Sequence, residues 1–282
     1  LCAANSWRHV LAYLAILRAN AVWTPLNPRN GAGLNGDFQR RASLALTLHD
    51  VGSVGALGST ARPLPLEAWL DSLPDAAPPA ILDDPAAPFA LKFTGGSTGV
   101  PKGVVQSQAS GPAALRPLQA FYDFTPDDVN LAVAPLTHGS SHYILPVLAA
   151  GGSHVLLAAP DRAAILDELK RRTTVVFMPP TLIALLMGET DFRPEDFPRL
   201  RHLTYSAAPM SPGRIAQAVC RFGPVLSALY GQTEAPMAIT GQSPADMADP
   251  DLRGSVGRPF PGTPVGLLTR EGQVLSRGEG EV

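Results

Sequence analysis

Two cysteines in 282 residues, Cys2 and Cys220, are too few for a disulfide framework, and neither they nor the six histidines show a metal-ligand spacing. Lysine is almost missing. Lys92, Lys102 and Lys170 stand beside 19 arginines, so a lysine kept inside a glycine-rich stretch is informative. The net charge of −2 lacks the positive excess that would draw nucleic acid or an anionic membrane as partner. No apolar run reaches the roughly 20 residues of a membrane span. Tandem repeats and heptads are absent as well. The chain starts at Leu1 without a methionine and stops at Val282 in mid-pattern. It therefore reads as a fragment, and its start excludes no leader. A reducing compartment fits the free thiols, and a soluble, cytoplasmic protein is the expectation.

What is present suffices for a core: 45% of the residues are hydrophobic and the mean hydropathy is +0.09. Residues 6–20 place Val10, Leu11, Leu14 and Leu17 at helical spacing, with Asn5 and Ser6 to cap the start. AVWTPL reads as a short strand, residues 31–36 as loop, and residues 63–88, rich in Pro, Ala and Asp, as a surface connection. From Phe89 onward, strand candidates (FALKF, VNLAVAPL, SHVLLA, TTVVFM, LRHLTYSA, PVLSALYG) alternate with helical stretches of 8–14 residues. That rhythm predicts α/β structure with βαβ units on a mostly parallel sheet. The Gly/Pro-dense tail after Gly254 abandons it and suggests a β-rich piece. The expected division is 1–88, 89–253 and 254–282.

The chemistry concentrates in Thr94-Gly95-Gly96-Ser97-Thr98-Gly99-Val100-Pro101-Lys102-Gly103, which follows a predicted strand. Glycines let backbone N–H groups approach a bulky anion, the hydroxyls of Thr94, Ser97 and Thr98 add donors, and Lys102 supplies a point charge. By composition this is a phosphate cradle, although it does not fit G-x-x-x-x-G-K-[ST]. Residues 95–99 also satisfy G-x-S-x-G, the nucleophile elbow of hydrolases. An elbow needs a helix directly after the serine, and Pro101 and Gly103 argue against one.

TGGSTGVPKG resembles the phosphate-binding signature of the adenylate-forming (AMP-binding) superfamily, which holds acyl- and aryl-CoA synthetases, adenylation domains and luciferases. Further segments match in the family's order: residues 4–28, PLTHGSS, YSAAPMSP, LYGQTEAP and GSVGRPFPGTPV. The resemblance is greatest to acyl-CoA synthetases and implies stacked βαβ-type subdomains with the start of a β-rich subdomain. It implies ATP as substrate, Mg²⁺, and CoA as acceptor. Tyr230 would lie on the adenine, with Ala207, Ala208 and Pro209 giving backbone to it. Within Gly231-Gln232-Thr233-Glu234, Thr233 would meet the α-phosphate and Glu234 would hold Mg²⁺, with Lys102, Thr233 and Glu234 as the catalytic set. His138 and Gly139 would wall the acyl pocket. Amino-acid-activating members carry an Asp about where Gly139 stands, and an unpaired ammonium buried here would be costly, so a fatty or aromatic acid is expected. The partners implied are small molecules, with a homo-oligomer allowed. The alternatives are an enzyme loading a carrier-protein thiol, and a non-catalytic nucleotide-binding module. The end at RGEGEV precedes the family's ribose-binding Asp and C-terminal catalytic Lys, so the fragment alone is expected to be inactive.

Overall fold

The chain opens with α1 (Trp7–Arg18), whose first turn is capped by the Ser6 hydroxyl accepting from the His9 N–H at 3.2 Å. The computed structural model describes residues 1–59, 61–95, 100–189, 191–237 and 239–281, the side chain of Glu189 excepted. The glycine-dense stretch expected to be loop is instead the start of α2 (Gly31–Arg41). Tertiary partners override its poor helix propensity. Asn35 donates to the carbonyls of Asn27 and Ala56, each at 2.9 Å, and Gln39 donates to the Thr47 hydroxyl at 3.0 Å. Phe38 stacks on Phe93 with ring centroids 4.2 Å apart.

The parallel pair β1 (Leu46–His49) and β2 (Arg62–Pro65), followed by α3 (Leu66–Asp71), occupies ground that the sequence marks partly as connection. Leu66 is what orders it: fully buried, it joins Leu48, Trp23 and Tyr13 in one cluster. An antiparallel hairpin follows, β3 (Pro88–Thr94) with β4 (Lys102–Ser107), in which Thr94 faces Lys102. A strand therefore follows the glycine-rich segment, where a nucleophile elbow would require a helix. Helix α4 (Ser110–Tyr122) comes next and contains Pro117, which with Pro112 and Gly111 hid it from a periodicity reading.

The main sheet has seven strands among the described residues, in the order β11-β10-β9-β8-β7-β5-β6. Here β5 is Val129–Ala132, β6 Ser153–Leu156, β7 Val175–Met178, β8 His202–Tyr205 and β9 Leu226–Tyr230, all parallel. Beyond β9, β10 (Thr240–Gln242) pairs antiparallel with β9, and the edge strand β11 (Arg258–Pro259) pairs antiparallel with β10. Helices α5 (Ile144–Ala149), α6 (Arg162–Arg171), α7 (Pro180–Glu189), α8 (Pro212–Phe222) and α9 (Pro244–Ala248) fill the connections, and β12 (Leu267–Leu268) pairs β13 (Val274–Leu275) separately. Strand β7 shows why the sheet reads as unbroken apolar runs. Val176 and Met178 enter the core with Ile165, Ile183 and Ile215, while Val175 and Phe177 enter the opposite core with Leu118 and Tyr143. Each such side chain removed from water contributes about 1.5–3 kcal/mol.

Asn5 ties the N-terminal segment to this sheet. Its amide donates to the carbonyls of Ala134 (2.9 Å) and Ala132 (3.3 Å), and its side-chain oxygen accepts the Leu136 N–H (2.8 Å). Asn5→Leu strands the Ala134 carbonyl and the Leu136 N–H, while the Ala132 carbonyl keeps the Leu157 N–H at 3.1 Å, and should destabilise the protein by about 3 kcal/mol in urea unfolding. A loss below about 1 kcal/mol would show that this clamp is dispensable.

Candidate active site

Parallel α/β sheets bind ligands beyond the carboxyl ends of their strands, and the chain leaving those ends here builds two cavities. Residues after β5, β7, β8 and β9 converge with β3 and the N-terminal segment on a cavity of about 510 Å³. Its walls include Thr94, Gly95, His138, Gly139, Phe177 and Thr233. A second cavity, about 290 Å³, lies between the turn after β8 and the end of β9 and is lined by Ala207, Ala208, Pro209 and Tyr230. Ser206, Ala207 and Gly231 border both, so the two spaces meet at one backbone wall.

That wall is strained. Ala207 has φ +72° and Met237, which lines the larger cavity, has φ +62°. Non-glycine residues in this region cost about 1–3 kcal/mol each and gather at functional sites. Gly231 is obligatory: a Cβ there would overlap the Met237 N–H and stand 2.9 Å from the Ala235 carbonyl oxygen. At Gly139 a Cβ would meet the Phe177 ring at 3.0 Å, so the ring fills the space that an acidic side chain would need.

His138 turns Nδ1 to the Thr137 carbonyl at 2.9 Å, and a carbonyl can only accept, so Nδ1 carries the proton. Its Nε2 then accepts from the Asn27 amide at 3.2 Å. Burial, with Lys92 nearby, lowers its pKa and keeps the ring neutral. His142 is built the same way, Nδ1 on the Gly139 carbonyl at 3.1 Å and Nε2 accepting from Lys92 Nζ at 3.0 Å. Burial first, and the Lys92 charge second, drive its pKa down to about 3.

Of the residues singled out by sequence, Thr94, Gly95, His138, Gly139, Ala207, Gly231, Gln232 and Thr233 line the larger cavity. Ala208, Pro209 and Tyr230 line the smaller one, with the Tyr230 hydroxyl accepting from Gln232 at 3.3 Å. Gly96, Ser97, Thr98 and Gly99 lie outside the described residues. Lys102 and Glu234 are exposed on the flanking segments and line neither cavity. Among the described residues no cluster of three or more acids, histidines or cysteines could hold a metal. One exposed carboxylate beside Thr233 suits Mg²⁺, which is usually held by one or two carboxylates plus substrate phosphates.

Two residues escaped the sequence reading. Gln106, buried on β4, donates to the Thr233 carbonyl at 2.8 Å and so fixes the loop after β9 against the hairpin. Lys92 lines the larger cavity and could have been found from strand alternation, since it stands two residues before Thr94 on the same face.

The family model for the AMP-binding enzyme matches residues 1–282. A medium/long-chain-fatty-acid–CoA ligase, FadD8 of Mycobacterium tuberculosis, is 34% identical over 68% of this chain and 34% of its own length. A feruloyl-CoA synthase of Amycolatopsis is 31% identical over 96% of this chain and 57% of its own length. The amide bond synthetase McbA of Marinactinospora thermotolerans superposes with a TM-score of 0.83 at 28% identity, over 98% of this chain and 58% of that one. The chain thus spans about a third to somewhat over half of these relatives. With its motifs, its parallel-rich sheet and a matching model along its whole length, the chain belongs to the AMP-binding enzyme family.

Proposed function

We propose that the protein activates a carboxylic acid with ATP and passes the acyl group to the thiol of CoA. The observation that carries this reading is the meeting of two cavities at Ala207 and Gly231. One, at Tyr230 and Ala207–Pro209, suits a flat base; the other holds Thr94, Thr233 and His138 and suits an acid and the phosphates. The α-phosphorus would then sit at the shared wall. The acid's carboxylate oxygen attacks it, the bond to pyrophosphate breaks, and an acyl-adenylate forms. The CoA sulfur, as thiolate, then attacks the acyl carbon and AMP leaves.

The substrate brings the nucleophile, so the residues position it and offset charge. The Thr94–Gly99 loop and Lys102 would gather the phosphates, Thr233 would donate to the α-phosphate, and neutral His138 would wall the acyl side. Glu234 would hold Mg²⁺, which when bound neutralises phosphate charge. The division into 1–88, 89–253 and 254–282 is proposed with it, the middle part holding the nucleotide and acid. The CoA ligase names of the relatives favour CoA over a carrier-protein thiol as acceptor.

Measured on the whole protein, acid-dependent ATP–pyrophosphate exchange should fall about 10²-fold in Lys102→Ala and in Thr98→Ala. Glu234→Ala should lose most at limiting Mg²⁺. If exchange with a preferred acid were unchanged in all three, the nucleotide site would lie elsewhere.

A further inference from the structure

Among its described lining residues the larger cavity has one cation and no anion. Its described lining has Lys92, His138 and His142 as its only titratable side chains, and no carboxylate. Both imidazoles are neutral, so among the described lining residues the only charged side chain is the Lys92 ammonium. Lys92 is half-buried, makes no ion pair with a described residue, and lies 5.1 Å from the centroid of the Trp23 ring. Burial lowers its pKa to about 8, which leaves it mainly charged at neutral pH.

The ammonium has three N–H donors. One is taken by His142 Nε2, and no other described partner accepts from it. The Gly139 carbonyl behind His142 Nδ1 locks the imidazole as acceptor, so the lysine is braced toward the cavity wall. The face of Trp23 offers a partial counter-field, weaker than a full negative charge. A cation taken from water without a counter-ion is costly, and a ligand that supplies one recovers that cost.

We propose that Lys92, braced by His142, is the receptor for a second anionic group on the acid substrate, so that the protein selects acids bearing two negative groups. This adds a second anionic group to the expected acid and rests on the acid-activation reading above. The two spare N–H donors match the oxygens of a second carboxylate or of a sulfonate. Lys92 stands two residues before Thr94 on the same face of β3 and shares its cavity lining with His138 and Gly139, the residues read as the acid's wall.

The test compares malonate, succinate and glutarate, and the corresponding sulfo-acids, with their half-methyl esters, which keep the shape and lose the second charge. On the whole protein, kcat/KM in pyrophosphate exchange should favour the doubly charged acid by about thirtyfold or more, the loss typical of truncating one partner of a buried charge pair. In Lys92→Met and Lys92→Gln that ratio should collapse to about threefold or less. Either variant retaining the preference would overturn the assignment. So would a rise in KM for ATP, shared by diacid and half-ester, because it would give Lys92 to the triphosphate. Calorimetric binding of diacid and half-ester without nucleotide separates this inference from the activation reading. If no acid supports exchange, the activation reading fails. If the wild-type protein binds half-ester as tightly as diacid, the Lys92 proposal fails, whatever the exchange result.

Discussion

Asp128→Ala is expected to lower the unfolding free energy by about 3 kcal/mol, the low end for breaking a buried ion pair because Arg201 is partly exposed. Asp128 is almost fully buried at the start of β5 and accepts from five groups. They are the Thr125 N–H (2.8 Å) and hydroxyl (3.2 Å), the Thr174 hydroxyl (2.7 Å) and two nitrogens of Arg201 (2.8 and 3.2 Å). The carboxylate thereby joins the loop before β5 to the segments entering β7 and β8. Burial alone would raise its pKa, but the bonds from Thr174, Arg201 and Thr125 outweigh burial and lower it. The sign follows from linkage. A carboxyl whose folded pKa lies below the unfolded value of about 3.9 contributes its stability above that pH, and loses it as pH falls toward the folded pKa. Urea unfolding at pH 7 should show the loss in Asp128→Ala. The wild-type protein should lose more stability than Asp128→Asn as pH drops below about 4. Equal acid sensitivity of the two would remove Asp128 from the account.

Sequence reached the parallel sheet because its strands are buried on both faces. VVFM and SALY are short apolar runs between helical stretches, and a run of that kind has few other uses in an α/β chain. The turn at Ala207–Pro209 and the Gly231–Thr233 segment are picked out only through their resemblance to family segments, and the fold brings them onto the two cavities. What the sequence missed depends on distant partners. Helix α2 forms across three glycines because Asn35 and Gln39 find carbonyl and hydroxyl partners 8 to 21 residues away. Helix α3 sits where proline and acid counts suggest a connection, since one leucine, Leu66, is enough to anchor it. Gln106 and Lys92 are ordinary strand residues until the hairpin brings them against Thr233 and His142. Lys102 was legible as a conspicuous lysine. Its place on β4 opposite Thr94 was not, because Pro101 and Gly103 argue against a helix without naming the strand that residues 102–107 pair with.

Gly231→Ala should abolish most of the proposed activity while the protein still folds. The added methyl would overlap the Met237 N–H and press on the Ala235 carbonyl, both backbone, so no rotamer change can relieve it. The chain must shift where Gly231 borders both cavities, and Thr233 and Met237 must move with it. Overpacking of this kind costs about 1–3 kcal/mol of stability. Displacing a positioning group by about 1 Å costs about 10²-fold in rate. Gly213→Ala is the control: it lies in the first turn of α8, exposed, with open space around a Cβ. There the substitution should be neutral or stabilise by up to about 1 kcal/mol. Pyrophosphate exchange alongside urea unfolding separates the two effects. If Gly231→Ala lowered stability yet kept exchange within about threefold of wild type, the backbone wall between the cavities would not be where the α-phosphorus reacts. The acid and the base would then have to meet elsewhere.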